Sequence, residues 1–117
     1  MAEVLDLAFR ALADRTRRGV VERLQQRPHR AGELATALDV TAPALTRHLR
    51  ILKDCALVEE GGDDADGRVR VYRLRPEVFG RLRAWVDRIE TMWAEQLASF
   101  AGHVERAGRR RRSARRA

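Results

Sequence analysis

The sequence predicts a mainly α-helical (α+β) fold with one short β-hairpin, and three observations carry that expectation. Helical apolar stripes recur in short segments before residue 57. A turn-rich stretch at 61–67, reading GGDDADG, separates two short β-prone runs. From Pro76 onward, apolar residues return every three or four positions for about thirty residues.

The first helix is expected over 4–12, where Val4, Leu5, Ala8, Phe9 and Leu12 form one stripe. Asp14 can cap a second helix in which Val20, Val21 and Leu24 face inward, and Pro28 with its neighbours ends it. A short third helix covers 33–38, with Leu34 and Leu38 inward and Ala35 small enough for close helix contact. Asp39 falls at the following turn, where tolerance of a left-handed backbone is useful. Thr41 is a good N-cap for a fourth helix, and Pro43 sits in its first turn, where a missing N–H costs little. On that helix Leu45, Leu49, Leu52 and Ala56 share one face. Pro43, Arg47, Arg50 and Asp54 share the opposite one, with Ala44 and Ile51 on its flank. Small residues followed by two arginines let a backbone approach a groove closely. Two short helices, a tight turn and a basic outward face are the layout of a reader of the DNA major groove.

Residues 57–60 read as a strand, the turn follows, and 68–74 with Val69, Val71 and Tyr72 reads as its partner. A hairpin directly after a recognition helix is a wing, here with Arg68 and Arg70 near the tip. Pro76 suits the first turn of the last helix. Along it Phe79, Leu82, Val86, Ile89, Trp93, Leu97, Phe100 and Val104 recur at near-heptad spacing, with Trp85, Met92 and Gln96 beside them. About thirty helical residues span roughly 45 Å, against a radius near 13 Å for a compact chain of this size. One end would stand in water with its tryptophans exposed, so a homodimer is expected. Its interface would use Val4, Leu5 and Ala8 of the first helix and Leu82, Trp85, Ile89, Met92, Trp93, Gln96, Leu97 and Phe100 of the last.

A length of 117 residues fits one domain, with residues 1–107 as the folded part and 108–117 as an arginine-rich tail expected to be disordered. The net charge of +7 belongs to that end of the chain. Seven of the 24 basic residues lie beyond Glu105 without an acid, so the first 105 residues are formally neutral. The folded part must therefore bind nucleic acid by gathering cations on one face. The single cysteine, Cys55, excludes an internal disulfide framework, and a cytoplasmic setting is expected. Glu3 and Asp6 stand where a signal peptide would be basic, and no apolar run is long enough for a membrane span.

Three stretches, ALADRTRRGVVERL, GELATALDVTAPALTRHLRILKDCALV and GRVRVYRL, resemble the ArsR/SmtB family of winged helix-turn-helix transcriptional regulators, from about Leu12 to Leu74 without an internal gap. The terminal helix with Trp85 and Trp93 looks like that of a metal-independent branch of the family. The resemblance implies a dimeric regulator, most often a repressor, that sets two recognition helices in successive major grooves of a near-palindromic operator. It carries DNA contacts onto Thr41, Ala42, Ala44, Thr46, Arg47 and His48. Two departures matter. Ala42 stands where a glutamine is common and cannot make a bidentate contact to adenine. Ala56 stands where a helix-ending glycine is common.

The candidate DNA-binding set is therefore Thr41, Ala42, Pro43, Ala44, Thr46, Arg47, His48, Arg50, Lys53, Arg68 and Arg70. Arg47 is placed for guanine O6 and N7, while Arg50 and Lys53 suit phosphates. His48 is either a packing residue or a DNA contact, and Arg68 and Arg70 either enter a minor groove, touch phosphates or stand solvated beside Asp63, Asp64 and Asp66. Cys55 reads as a small buried residue more than as a redox switch. No metal site, cofactor or catalytic group is expected. The third helix lacks thiolates, His29, His48 and His103 are scattered, and no phosphate loop or serine nucleophile motif is present. The partners expected are double-stranded DNA and a second copy, with no membrane. An unidentified small-molecule effector stays open. Two rivals remain: an architectural nucleic-acid binder driven by the tail, and a winged-helix module that binds protein.

Overall fold

The computed structural model of the chain describes residues 2–62 and 67–116. Five helices and one hairpin follow in the order α1 (Ala2–Leu12), α2 (Arg15–Gln26), α3 (Ala31–Leu38), α4 (Ala42–Asp54), β1 (Val58–Gly62), β2 (Arg70–Leu74) and α5 (Pro76–Arg116). The tight turn expected at 61–67 lies partly at 63–66, outside the described residues. The chain divides into two compact units, Met1–Leu82 and Arg83–Ala117.

In the first unit the core is aliphatic, as a chain with few aromatics requires. Leu34, Leu45, Leu49, Leu52, Leu57, Val20 and Val58 are its largest fully buried side chains. Each such side chain is worth about 1.5–3 kcal/mol of transfer free energy when taken out of water. Ala8 and Ala11 of α1 are fully buried, because only a short side chain lets that helix lie close on the core. The first turn of α5 joins the same cluster through Val78, with Phe79 and Leu82 packed against it. Gly19 of α2 marks another close approach. A Cβ there would sit 2.8 Å from Cδ2 of Leu38 on α3.

The two helices of the helix-turn-helix end by one device. After α3, Val40 N–H donates to Ala35 O and Asp39 N–H to Thr36 O, with Asp39 left-handed at φ 53°. After α4, Leu57 N–H donates to Leu52 O and Ala56 N–H to Lys53 O, with Ala56 left-handed at φ 62°. Both are Schellman motifs built without the glycine that normally relieves the Cβ clash. Asp39 meets the expectation for a short polar side chain. Ala56 keeps the geometry of the missing glycine and bears the strain.

The hairpin pairs antiparallel, from Val58 opposite Leu74 to Gly62 opposite Arg70. It is fixed to the body by a bridge the sequence did not reveal. His29 and Tyr72 exchange both backbone bonds, at 3.1 and 2.7 Å. His29 is buried, and its Nδ1 lies 2.8 Å from Arg27 O. The expected strand at 68–74 begins later, at Arg70, and the first strand runs on to Gly62.

In the second unit the helix continues through Arg116, where the sequence led us to expect disorder from Gly108. Arginine and alanine are good helix formers, and Glu105 and Arg109 form an i,i+4 pair at 3.8 Å. Nothing in this segment needs a core to be locally helical.

Candidate nucleic-acid interface

The exposed face of α4 begins at its cap. Thr41 is extended, and its Oγ1 accepts from Ala44 N–H at 3.3 Å, satisfying one of the orphan donors of the helix start. Thr46 Oγ1 donates to Ala42 O at 2.9 Å. Its hydroxyl proton is thus spent on its own helix, and what Thr46 offers outward is a methyl group and an acceptor. Ala42, Pro43, Thr46, Arg47 and Arg50 are exposed, and Ala44 is half-buried. Arg47 and Arg50 have no ion pair among the described residues. The buried face of the same helix, Leu45, Leu49 and Leu52, fixes which way these two arginines leave the surface.

Lys53 and Arg70 behave differently. Lys53 Nζ lies 3.0 Å from Glu60 Oε2 and 6.0 Å from the Tyr72 ring centroid, and Arg70 Nε lies 3.4 Å from Glu60 Oε1. The Lys53 hydrogen bond is the main reason the Glu60 carboxyl sits below the usual carboxylate range. This cluster ties the last turn of α4 to the wing, so α4 and the hairpin present one surface. It also takes up part of the charge that sequence assigned to phosphate contact. Arg68 is exposed at the wing, and the aspartates expected to crowd it, Asp63, Asp64 and Asp66, fall outside the described residues.

His48 is half-buried and turned toward α2. Its Nδ1 lies 3.3 Å from Arg17 Nη1 and 3.7 Å from Asp14 Oδ2. Arg17 also donates from Nε to Ala11 O at 2.6 Å and from Nη2 to Arg10 O at 3.3 Å, and Arg18 Nη1 donates to Leu12 O at 2.8 Å. Two guanidinium groups therefore satisfy the last carbonyls of α1, where positive charge is also favoured by the helix dipole. The Asp14 carboxylate caps α2 through Arg17 N–H at 3.0 Å. That hydrogen bond is the main reason its carboxyl lies below its usual value. The sequence reading missed Arg17. The signal was an arginine run, RTRR, starting directly after the end of a helix.

Cys55 is buried in the core cluster, and burial first, then Asp54, pushes its thiol up. The expected packing role fits that placement. No group of three His, Cys, Asp or Glu residues is placed to hold a metal ion among the described residues. No described helix is long and apolar enough to cross a membrane.

The residues expected at a dimer interface separate. Ala8 is fully buried in the chain's own core and has no surface to offer, so it leaves that set. Val4, Leu5, Leu82 and Trp85 are half-buried, and Val4 and Leu82 pack on the core. Ile89, Met92, Trp93, Gln96, Leu97 and Phe100 are exposed. On α1 the exposed large residues are Leu7 and Phe9, neither of which is in the expected interface set although Phe9 is on the expected stripe. The buried line of α1 runs through Ala8 and Ala11, with Val4 and Leu12 packed beside it.

A helix-turn-helix whose second helix turns an exposed cationic face outward, braced by a two-stranded wing, defines the chain as a winged helix-turn-helix protein. The description "Bacterial regulatory protein, arsR family" matches residues 14–60. The chain is 42% identical over 103 residues to the HTH-type transcriptional regulator Rv2034 of Mycobacterium tuberculosis, covering 88% of this chain and 91% of that protein. It is similar in structure to an ArsR-like transcriptional regulator from Rhodococcus sp. RHA1, with 31% identity, TM-score 0.72, and 88% and 92% of the two chains covered. It is also similar to the homodimeric winged helix-turn-helix DNA-binding domain Mb0332 from Mycobacterium bovis, with 25% identity, TM-score 0.60, and 81% and 85% covered. The chain belongs to the ArsR family of bacterial transcriptional regulators.

Proposed function

We propose that this chain is a homodimeric repressor that binds a near-palindromic operator and acts in the cytoplasm. The observation that carries the reading is the outward face of α4, where Arg47 and Arg50 stand exposed and unpaired among the described residues beside Ala42, Pro43 and Thr46. Arg47 reads a guanine, and Arg50, Arg68 and Arg70 hold phosphates. Thr41, Ala42 and Ala44 line the approach, with apolar contact to a thymine methyl where the usual glutamine is absent. Lys53 acts mainly by fixing the wing. Half-sites about 34–36 Å apart would admit both recognition helices.

The dimer forms along the second unit, where Ile89, Trp93, Leu97 and Phe100 repeat at three- and four-residue spacing and are all exposed. The homodimeric state of the Mycobacterium bovis domain supports this assembly. Neither metal nor cofactor takes part, and zinc or arsenite added to the complex leaves DNA bound.

Sequencing duplexes selected by the purified protein tests the reading. A recurring inverted repeat is expected. Arg47→Ala should then relax one base pair per half-site, at about 1–3 kcal/mol per contact. Equal loss on all duplexes would remove base readout. A second reading, binding driven by the arginine-rich end, is favoured by the seven arginines from 106 to 116. Truncation after residue 107 separates the two. The operator reading keeps sequence preference with a shallower salt dependence, and the tail reading loses nearly all binding.

A further inference from the structure

We infer that Arg17 holds His48 in the tautomer that carries its proton on Nε2, and that this outward N–H donates a hydrogen bond to a DNA phosphate beside α4. The inference rests on the operator-binding reading and adds a positioning residue, Arg17, that lies on α2 and outside the recognition helix.

Arg17 Nη1 approaches His48 Nδ1 at 3.3 Å. A guanidinium has only donors, so Nδ1 must be the acceptor and the neutral ring must carry its hydrogen on Nε2. Asp14 Oδ2, at 3.7 Å from the same nitrogen, is the competing partner. It favours a proton on Nδ1 but stands beyond hydrogen-bond range, while Arg17 is within it. Arg17 itself cannot swing away easily, because Nε and Nη2 are held by the carbonyls of Ala11 and Arg10.

No described protein group bonds the other ring nitrogen, Nε2, and no buried side-chain nitrogen or oxygen lacks a partner among the described residues, so Nε2 keeps some access to water on a side chain that is 21% exposed. His48 is half-buried and follows the exposed Arg47 on α4, at the edge of the helix's outward face. A donor there suits a phosphate oxygen, an acceptor-only ligand. The opposite tautomer would turn a lone pair toward the phosphate and repel it.

The test has two arms. In the full-length protein without DNA, two-bond proton–nitrogen correlation spectra of the His48 ring should show Nδ1 unprotonated and Nε2 protonated. A proton on Nδ1 overturns the inference. His48→Asn keeps an acceptor near Arg17 and removes the outward donor. It should weaken selected and scrambled duplexes alike, by about three- to tenfold, the scale of one net hydrogen bond. The salt dependence should not change, since no cation is lost. A folded His48→Asn protein that binds both duplexes as the native one does overturns the inference. If the native protein selects no duplex at all, the operator reading fails instead, and the ring spectra still report whether the His48 proton is on Nε2, as the Arg17 contact requires.

Discussion

The two stretches of α5 obey the same sequence rule and reach opposite ends. From Pro76 to Leu82 the helix buries its apolar residues, with Val78 at 6% exposure and Phe79 and Leu82 packed on the core. From Arg83 onward the same three- and four-residue spacing continues, yet Trp93 is 61% exposed and Phe100 66%. Apolar periodicity thus states that a face will be covered and does not state by what. In the first unit the cover is the chain's own core cluster. In the second the described residues of the chain supply no cover, and an exposed apolar seam of this kind is the mark of an interaction surface, which the proposed dimer would fill.

The contrast can be broken from its buried side. Leu34→Ala removes a fully buried side chain of the first unit and should cost about 2–5 kcal/mol of unfolding free energy, measured by urea denaturation. Leu97→Asp puts a charge into the exposed seam and should leave the first unit's cooperative unfolding nearly intact while abolishing the dimer in sedimentation. If Leu97→Asp sediments like the native protein, the seam is not the interface. Trp93→Ala sharpens the same point at smaller cost, weakening association by several kcal/mol, about the scale of a buried aromatic deletion.

What the sequence disclosed follows the same division. Stripes that close on the chain itself were legible: the leucines of α4, the Thr41 cap, the turn at Asp39 and the opening of α5 at Pro76. Contacts between elements far apart in sequence were not. His29 and Tyr72 lie 43 positions apart and Arg17 and His48 lie 31 apart, and no local period encodes either pair. Ala8 was misassigned because α1 is 11 residues long, so its apolar stripe has too few members to fix the azimuth of the buried line. The pairing of two of the wing-side cations is hidden for a related reason. Lys53 and Arg70 are basic in sequence, but Glu60 stands between them only once the wing has folded.

Within the first unit a smaller effect isolates backbone strain from packing. Ala56 holds φ 62° at the C-terminal end of α4, where its Cβ crowds the backbone. Ala56→Gly should stabilise the protein by roughly 1 kcal/mol, raising the thermal midpoint by a few degrees, despite glycine's greater freedom when unfolded. A loss of stability would mean that the alanine methyl contributes more to packing than its backbone costs. Gly19→Ala probes the opposite balance. The added methyl gains helix propensity of up to about 1 kcal/mol, but it meets Leu38 at 2.8 Å and can be accommodated only if that flexible side chain shifts. A net change within about 1 kcal/mol of zero is expected, with the loss appearing as looser packing of α3 against α2.

The smallest effect concerns the charge at the head of α2. Asp14 is half-buried, and its carboxyl lies below its ordinary value chiefly through the hydrogen bond from Arg17 N–H. A carboxyl depressed on folding contributes stability that is present above its unfolded pKa and disappears as pH falls through the lower folded value. Denaturation midpoints of the native protein should therefore drop faster between about pH 5 and pH 3 than those of Asp14→Asn, which keeps a capping side chain without a titrating group. The two curves should converge in acid and separate toward neutral pH, with the native protein the more stable there. Parallel curves would mean that the charge of Asp14 is screened by solvent and that its carbonyl geometry alone caps the helix. In that case the contact between Asp14 and His48 at 3.7 Å contributes nothing to the stability of the first unit, and among the polar contacts Arg17 is what links the head of α2 to His48 while the shared core holds the two helices together.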